Sequence, residues 1–323
     1  ANISVALGGI IACGAVYALI GLIVQGVGTT WIEKLLPPVV TGAVVAAIGL
    51  NLTAVAIGMI SASAYTKWIA LFTVVAVALI AVYGRGLPQR LPVLIGGLAA
   101  YILYAVTASS FGAPTIDFAK IGAAAWFGMP KFVAPVFDMK AMTLIVPVAI
   151  ILVAENLGHI KGIAVMTGRN FDHLIGRGFI ADGLGTMIAG SGGGTGVTTY
   201  AENMGVMAVT RVYSTLVFVA AGIIALVLGF SPKFGAVIGT IPVAVLGGLA
   251  VVVFGLIAAT AGRIWVENKV DFSEPKNLIT VATALILGAG DLKLPIFGFE
   301  LGGIGTATFG AIILYHLLNR RMA

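Results

Sequence analysis

Apolar residues in this chain come in long blocks, not in strict alternation. With soft boundaries the blocks are 4–24, 39–60, 68–83, 92–110, 141–158, 178–190, 199–209, 212–229, 236–259, 277–290 and 302–318. Several approach the ~20 apolar residues that a helix needs to cross a hydrocarbon core. They predict about eleven helical segments. Pro37, Pro38, Pro92, Pro147 and Pro242 fall near segment starts or in first turns, where a missing N–H costs least. Most connections are short. The exception, 111–140, carries Trp126 with several Phe and Pro and suits an excursion along the interface held by aromatic anchors.

The blocks 178–190 and 199–209 are too short to span. Between and across them runs Ser191–Arg211, SGGGTGVTTYAENMGVMAVTR. Gly192, Gly193, Gly194 and Gly196 break a helix entering from Met187–Ala189, because glycine is costly in a helix interior. Val197, Thr198, Thr199 and Tyr200 favour extended backbone. Ala201–Val209 returns to helix-compatible composition, with Glu202 in its first turn. A new helix start presents free N–H groups and a partial positive charge. Irregular backbone at membrane depth is tolerated only where protein or a wet cavity covers it, and transporters build substrate sites from such breaks. An inter-helix loop with a solvated Glu202 fits the same composition. A phosphate loop does not, since G-x-x-x-x-G-K-[ST] is absent.

Composition agrees with the pattern. The 323 residues have a mean hydropathy of +1.11 with 9% charged residues, which no soluble fold of this size could bury. The chain reads as an all-α polytopic protein whose first partner is the lipid bilayer. The net charge of +6 requires no nucleic acid, because Lys and Arg excess on cytoplasmic loops produces it. The lone cysteine, Cys13, lies in an apolar block as a packed small residue and excludes an intrachain disulfide. The start, ANISVALGG, has no initiator methionine or signal peptide and reads as the cut edge of a longer protein.

Alternate loops sort the basic residues. Lys34, Arg85, Arg90, Lys161, Arg169, Arg177, Arg211, Arg263, Lys269, Lys276, Arg320 and Arg321 fall on one side, 12 of the 18. Lys67, Lys120, Lys131, Lys140, Lys233 and Lys293 fall on the other. This bias predicts the first set and the C-terminus in the cytoplasm, with 111–140 outside.

Most of the 12 acids lie in loops, and Asp182 reads as close enough to a segment start to reach the interface. Glu155 and Glu202 differ. Glu155 lies deep in an apolar block and Glu202 follows the break, so each is a functional candidate or a paired structural carboxyl. His159 stands one helical turn from Glu155. The pair lacks further ligands and the H-E-x-x-H pattern, so no metal site is expected, and no cofactor motif is seen. The tetrad E-N-x-G occurs twice, at Glu155–Gly158 and Glu202–Gly205. Two carboxylates beside a Gly-rich break suit a small polar molecule with N–H donors. A carboxylate pair would also serve acyl or glycosyl chemistry, but nothing suggests a water-accessible nucleophile.

The ten residues Glu202–Arg211, ENMGVMAVTR, match throughout the signature of the nucleobase–ascorbate transporters, or nucleobase–cation symporter-2. Glu155–His159 resembles the acidic motif of that family's eighth helix. Glu at 202, where purine carriers usually have Gln, resembles the uracil and pyrimidine permease branch. Ala201, where members often have Gly, is a small departure that narrows the expected pocket.

The resemblance implies two inverted repeats of seven helices forming a core domain and a gate domain, with this chain lacking the first three helices. It implies core at 1–24 and 141–229, gate at 39–110 and 236–318, and an extracytoplasmic loop at 111–140. It implies a substrate site of Glu155, Glu202, Ala201, Tyr200 and Asn203, and proton coupling through Glu155 and His159. The implied function is proton-coupled uptake of uracil or a related pyrimidine across the inner membrane, with no enzymatic activity. The implied partners are the nucleobase and protons, with a second copy of the chain as a further candidate. The alternatives are a purine or xanthine permease of the same family, a sulfate-permease-type anion transporter, a channel, and a membrane-embedded enzyme. Two acids in one pocket argue against an anion.

Overall fold

The computed structural model describes residues 2–200, 203–204, 206–207, 211–296 and 299–319. It is mostly helical. The helices are α1 (Ile3–Val27), α2 (Thr30–Leu35), α3 (Pro38–Asn51), α4 (Thr53–Ile60), α5 (Ala64–Tyr83), α6 (Leu87–Arg90), α7 (Pro92–Thr107), α8 (Ala119–Ala123) and α9 (Met139–Ile145). They continue with α10 (Val148–Thr167), α11 (Ile175–Ser191), α12 (Thr215–Gly229), α13 (Pro232–Gly239), α14 (Val243–Glu267) and α15 (Pro275–Ala289). A hairpin of β1 (Leu294–Ile296) and β2 (Phe299–Leu301), with Pro295 opposite Glu300, precedes α16 (Gly303–Leu318).

Among the described residues, five helical stretches are long and apolar enough to cross a bilayer: Ile3–Val27, Pro38–Ile60, Ala64–Tyr83, Met139–Ala164 and Val243–Glu267. The pair α12 and α13 adds a sixth only as one span bent by 84°, and α7, α15 and α16 are shorter apolar helices. The protein is therefore a multi-pass helical membrane protein.

Three helices depart from the apolar blocks, each for a local reason. The block 236–259 is not one helix. It breaks after Gly239, restarts behind Pro242 and runs on to Glu267, where Arg263 Nε donates to Glu267 Oε1 at 2.8 Å one turn away. Helix α10 runs past the apolar limit at 158, through His159 and Lys161, to Thr167, where Gly168 caps it at φ 67. Lys161 is paired with Glu33 of α2, so its charge does not end the helix. Helix α11 begins at Ile175, with Arg177 already inside its first turn.

The chain groups into two compact units. One comprises residues 1–51, 132–208 and 257–323; the other comprises 52–131 and 209–256. In the first unit α1 and α11 run antiparallel along glycines. A β-carbon on Gly14 would stand 2.7 Å from the Gly183 carbonyl oxygen, and one on Gly21 would stand 2.8 Å from that of Gly176. Small residues at such a seam let backbones meet, which drives helix association where lipid removes the hydrophobic term. Helices α3, α15 and α16 pack together beside them, with Asn51 Nδ2 donating to the Gly288 carbonyl at 2.8 Å. In the second unit α5 packs on α7 and on the first half of α14. Ile69, Ala100, Tyr104, Ala244 and Val245 form its core. A β-carbon on Gly248 would lie 2.7 Å from the Ala70 carbonyl oxygen, so α14 and α5 approach closely there.

Candidate functional site

The site is assembled in the first unit from α1, α10, α11 and the stretch that follows α11. The glycine run ends α11 as a Schellman turn. Gly193 takes φ 89, Gly194 N–H donates to the Ala189 carbonyl at 2.7 Å, and Gly193 N–H donates to the Gly190 carbonyl at 3.3 Å. A left-handed φ of this kind is free only to glycine. The chain then doubles back. Buried Thr186 on α11 holds the returning strand, its Oγ donating to the Val197 carbonyl and accepting from the Val197 N–H, both at 3.2 Å. Residues 194–200 are non-helical, as their composition predicts.

That reversal carries Thr199 to α10. Its hydroxyl stands 2.6 Å from His159 Nδ1 and 3.1 Å from Asn156 Oδ1. Asn156 is 1% exposed, and both of its amide hydrogens are used. One goes to the Tyr17 hydroxyl of α1 at 2.6 Å, and one goes to Asp182 of α11. Tyr17, fully buried, passes its own proton to the Leu152 carbonyl at 3.3 Å and packs on Phe179 with ring centroids 5.3 Å apart. Five polar side chains from four segments thus form one network inside a membrane protein. Polar groups at that depth are costly unless paired, and here each finds a partner.

Glu155 and His159 lie half-buried one turn apart on α10, and both have interaction partners. Tyr200 is 61% exposed. Asn203 is helical and exposed, and its N–H donates to the Tyr200 carbonyl at 3.2 Å. Ala201 and Glu202 lie outside the described residues. Met204, Val206 and Met207 are helical, so helix resumes after the break. Thr198 Oγ is buried without a protein partner.

Asp182 is drawn into the network on α11. It lies two turns inside α11, half-buried, and accepts from Asn156. Tyr17 and Thr199 carried no sequence signal of their own, because an isolated Tyr or Thr in an apolar run usually packs. Asn156 did carry one, as part of the repeated E-N-x-G.

Among the described residues, no group of three or more His, Cys, Asp or Glu could hold a metal. The arrangement brings a carboxyl, Glu155, and an imidazole, His159, beside irregular backbone, groups that can hydrogen-bond a small polar ligand.

Comparison with known proteins identifies the family. Residues 1–297 match the model of a permease family, Xan_ur_permease. The chain is 62% identical over 322 residues to RutG of Escherichia coli (strain K12), provisionally named a pyrimidine permease, covering 99% of this chain and 73% of that one. It is 40% identical over 327 residues to the uracil permease of Paenibacillus larvae subsp. larvae, covering 97% of this chain and 76% of the relative. It is 38% identical over 328 residues to the uracil permease of Escherichia coli (strain K12), covering 98% and 75%.

Proposed function

The chain belongs to this permease family, and we propose that it carries uracil or a related pyrimidine nucleobase across the inner membrane in symport with protons. The observation that carries the reading is the reversal at Gly193. It lays an irregular, donor-rich backbone stretch against a membrane helix bearing Glu155 and His159. The relatives, named as pyrimidine and uracil permeases, support the class of substrate.

In this proposal Glu202, which follows the break in the sequence, accepts a ring N–H of the base. Glu155 contributes a second carboxyl and takes the coupling proton, exchanging it with His159 one turn away. Ala201 offers its backbone to the base, and Tyr200 and Asn203 border it. The site belongs to a core of 1–24 and 141–229, with 39–110 and 236–318 as gate, in the inverted seven-plus-seven arrangement. The carrier works in the orientation set by the basic loops, with the C-terminus cytoplasmic and 111–140 outside. A homodimer is the proposed assembly.

The test is uptake of radiolabelled uracil into proteoliposomes under an imposed pH gradient, with substrate turnover followed in detergent. Saturable uptake that collapses with the gradient supports the reading. Turnover without uptake would point to an enzyme, non-saturating flux to a channel, and competition by xanthine above uracil to a purine carrier.

A further inference from the structure

The polar network has a direction, and that direction reaches His159. Each bond can be assigned by asking which atom is able to give a proton. The Leu152 carbonyl only accepts, so the Tyr17 hydroxyl spends its single proton there, at 3.3 Å. The Tyr17 oxygen must then receive from Asn156, which requires the amide nitrogen, not the amide oxygen, to face it at 2.6 Å. Asp182 makes the same demand independently, since a carboxylate oxygen accepts from the other Nδ2 hydrogen. Two acceptors on two different helices thus fix the amide in one orientation. Its Oδ1 is left to accept from the Thr199 hydroxyl at 3.1 Å. That hydroxyl has no second proton, so at 2.6 Å from the imidazole it presents a lone pair to His159 Nδ1.

We infer that Thr199 is a positioning residue that sets the tautomer of His159, holding the ring proton on Nδ1 so that the coupling proton is taken up and released at Nε2. A neutral imidazole has one donor and one acceptor nitrogen, and the bond made by one fixes the role of the other. The arrangement links the returning strand to α10. Displacement of the strand removes the acceptor for Nδ1–H and frees the ring to change tautomer. The titratable and charged groups on the described elements around the ring are Glu155 and Lys161 on α10, Cys13 and Tyr17 on α1, Arg177 and Asp182 on α11, and Tyr200 on the returning stretch. The tautomer follows from the hydrogen bonds alone; only its use in transport rests on the proton-symport reading.

The chain has three histidines, which makes a direct measurement practical. His316 serves as an internal control, because its Nε2 lies 3.3 Å from the Leu35 carbonyl, an acceptor, and so carries the proton. His173 is exposed and averages. Nitrogen-15 NMR of histidine-labelled protein, above the pH at which the rings titrate, should show Nδ1–H for His159 and Nε2–H for His316, with His159→Gln giving the assignment. An Nε2–H signature for His159 in the unaltered protein overturns the inference, whatever the variants do. Thr199→Val should lose the fixed Nδ1–H signal, and Thr199→Ser should keep it. In proteoliposomes Thr199→Val should lower uptake about fivefold, the worth of one hydrogen bond, and should shift the pH profile. Thr199→Ser should restore both. A uniform loss at every pH with an unmoved profile would mean that Thr199 only packs. If uptake proves indifferent to pH in the unaltered protein, the symport reading fails while the spectrum still decides the tautomer.

Discussion

Gly14 of α1 and Gly183 of α11 touch backbone to backbone, and a β-carbon on Gly183 would stand 2.6 Å from the Gly14 carbonyl oxygen. Neither main chain can yield without moving its helix. Gly183→Ala is therefore expected to destabilise the protein by about 1–3 kcal/mol, as overpacking does. Gly26→Ala, on the same α1 but with open space around it, should be neutral or slightly stabilising. Thermal unfolding in detergent, followed by tryptophan fluorescence, compares the two. Equal effects would mean that the seam is looser than its geometry states.

Asp182 and Asn156 lead to a second pair of variants. Asp182→Asn keeps an oxygen that can accept from Asn156 Nδ2, so its melting temperature should stay close to that of the unaltered protein. Asp182→Ala leaves a buried amide hydrogen unpartnered and should cost about 1–3 kcal/mol. The difference between the two melting temperatures reads the bond and not the charge. Equal melting temperatures would show that Asn156 finds another acceptor.

The two glutamates should separate by function. Glu202→Gln loses a charge-assisted bond worth about 1.5–3 kcal/mol, and uracil affinity should fall roughly 10–150-fold. Glu155→Gln, which mimics a protonated carboxyl, should retain measurable binding while flattening the pH dependence of uptake. Calorimetry across pH, alongside uptake, distinguishes them. Full pH-driven accumulation by Glu155→Gln would remove Glu155 from the coupling role.

Outside the spans, Asp271 offers a pH test with a definite sign. Its carboxylate accepts from Ser273 Oγ at 2.6 Å and from Ser273 N–H at 2.8 Å, which together hold its acidity below the ordinary carboxylate range. A depressed folded value stabilises above the unfolded value of about 3.9 and loses that contribution as pH falls through the folded one. The melting-temperature gap between the unaltered protein and Asp271→Asn should be constant near neutrality and shrink in acid. A gap that widens in acid would contradict the sign.

Orientation is testable with cysteine labelling, since the native Cys13 is buried. An impermeant maleimide on whole cells should label Lys120→Cys and spare Arg320→Cys. The reverse pattern would invert the topology.

Helices were legible in the sequence because the bilayer selects for uninterrupted apolarity, which composition records directly. The break was legible because four glycines within five residues have few other uses. Helix ends were less so. Arg177, Lys161 and Arg263 looked like loop residues, yet each lies on a helix. Charge at a membrane boundary marks depth and not the end of hydrogen bonding. The network was illegible for a different reason. Tyr17 and Asn156 are 139 residues apart, and Asn156 and Thr199 are 43 apart. No periodicity carries such a pairing; only the packing of α1 on α11 and the reversal at Gly193 bring these side chains together.

The α1–α11 seam also limits how this carrier can move. Gly14 and Gly21 on one helix meet Gly183 and Gly176 on the other, a matched pair of notches two turns apart. Slipping either helix by one residue would drive a side chain into the opposing backbone at both notches. The two helices therefore translate and tilt as a single strut, and the hydroxyl of Tyr17 travels with the carboxylate of Asp182. Whatever hinge the transport cycle uses, it has to lie somewhere other than along this strut.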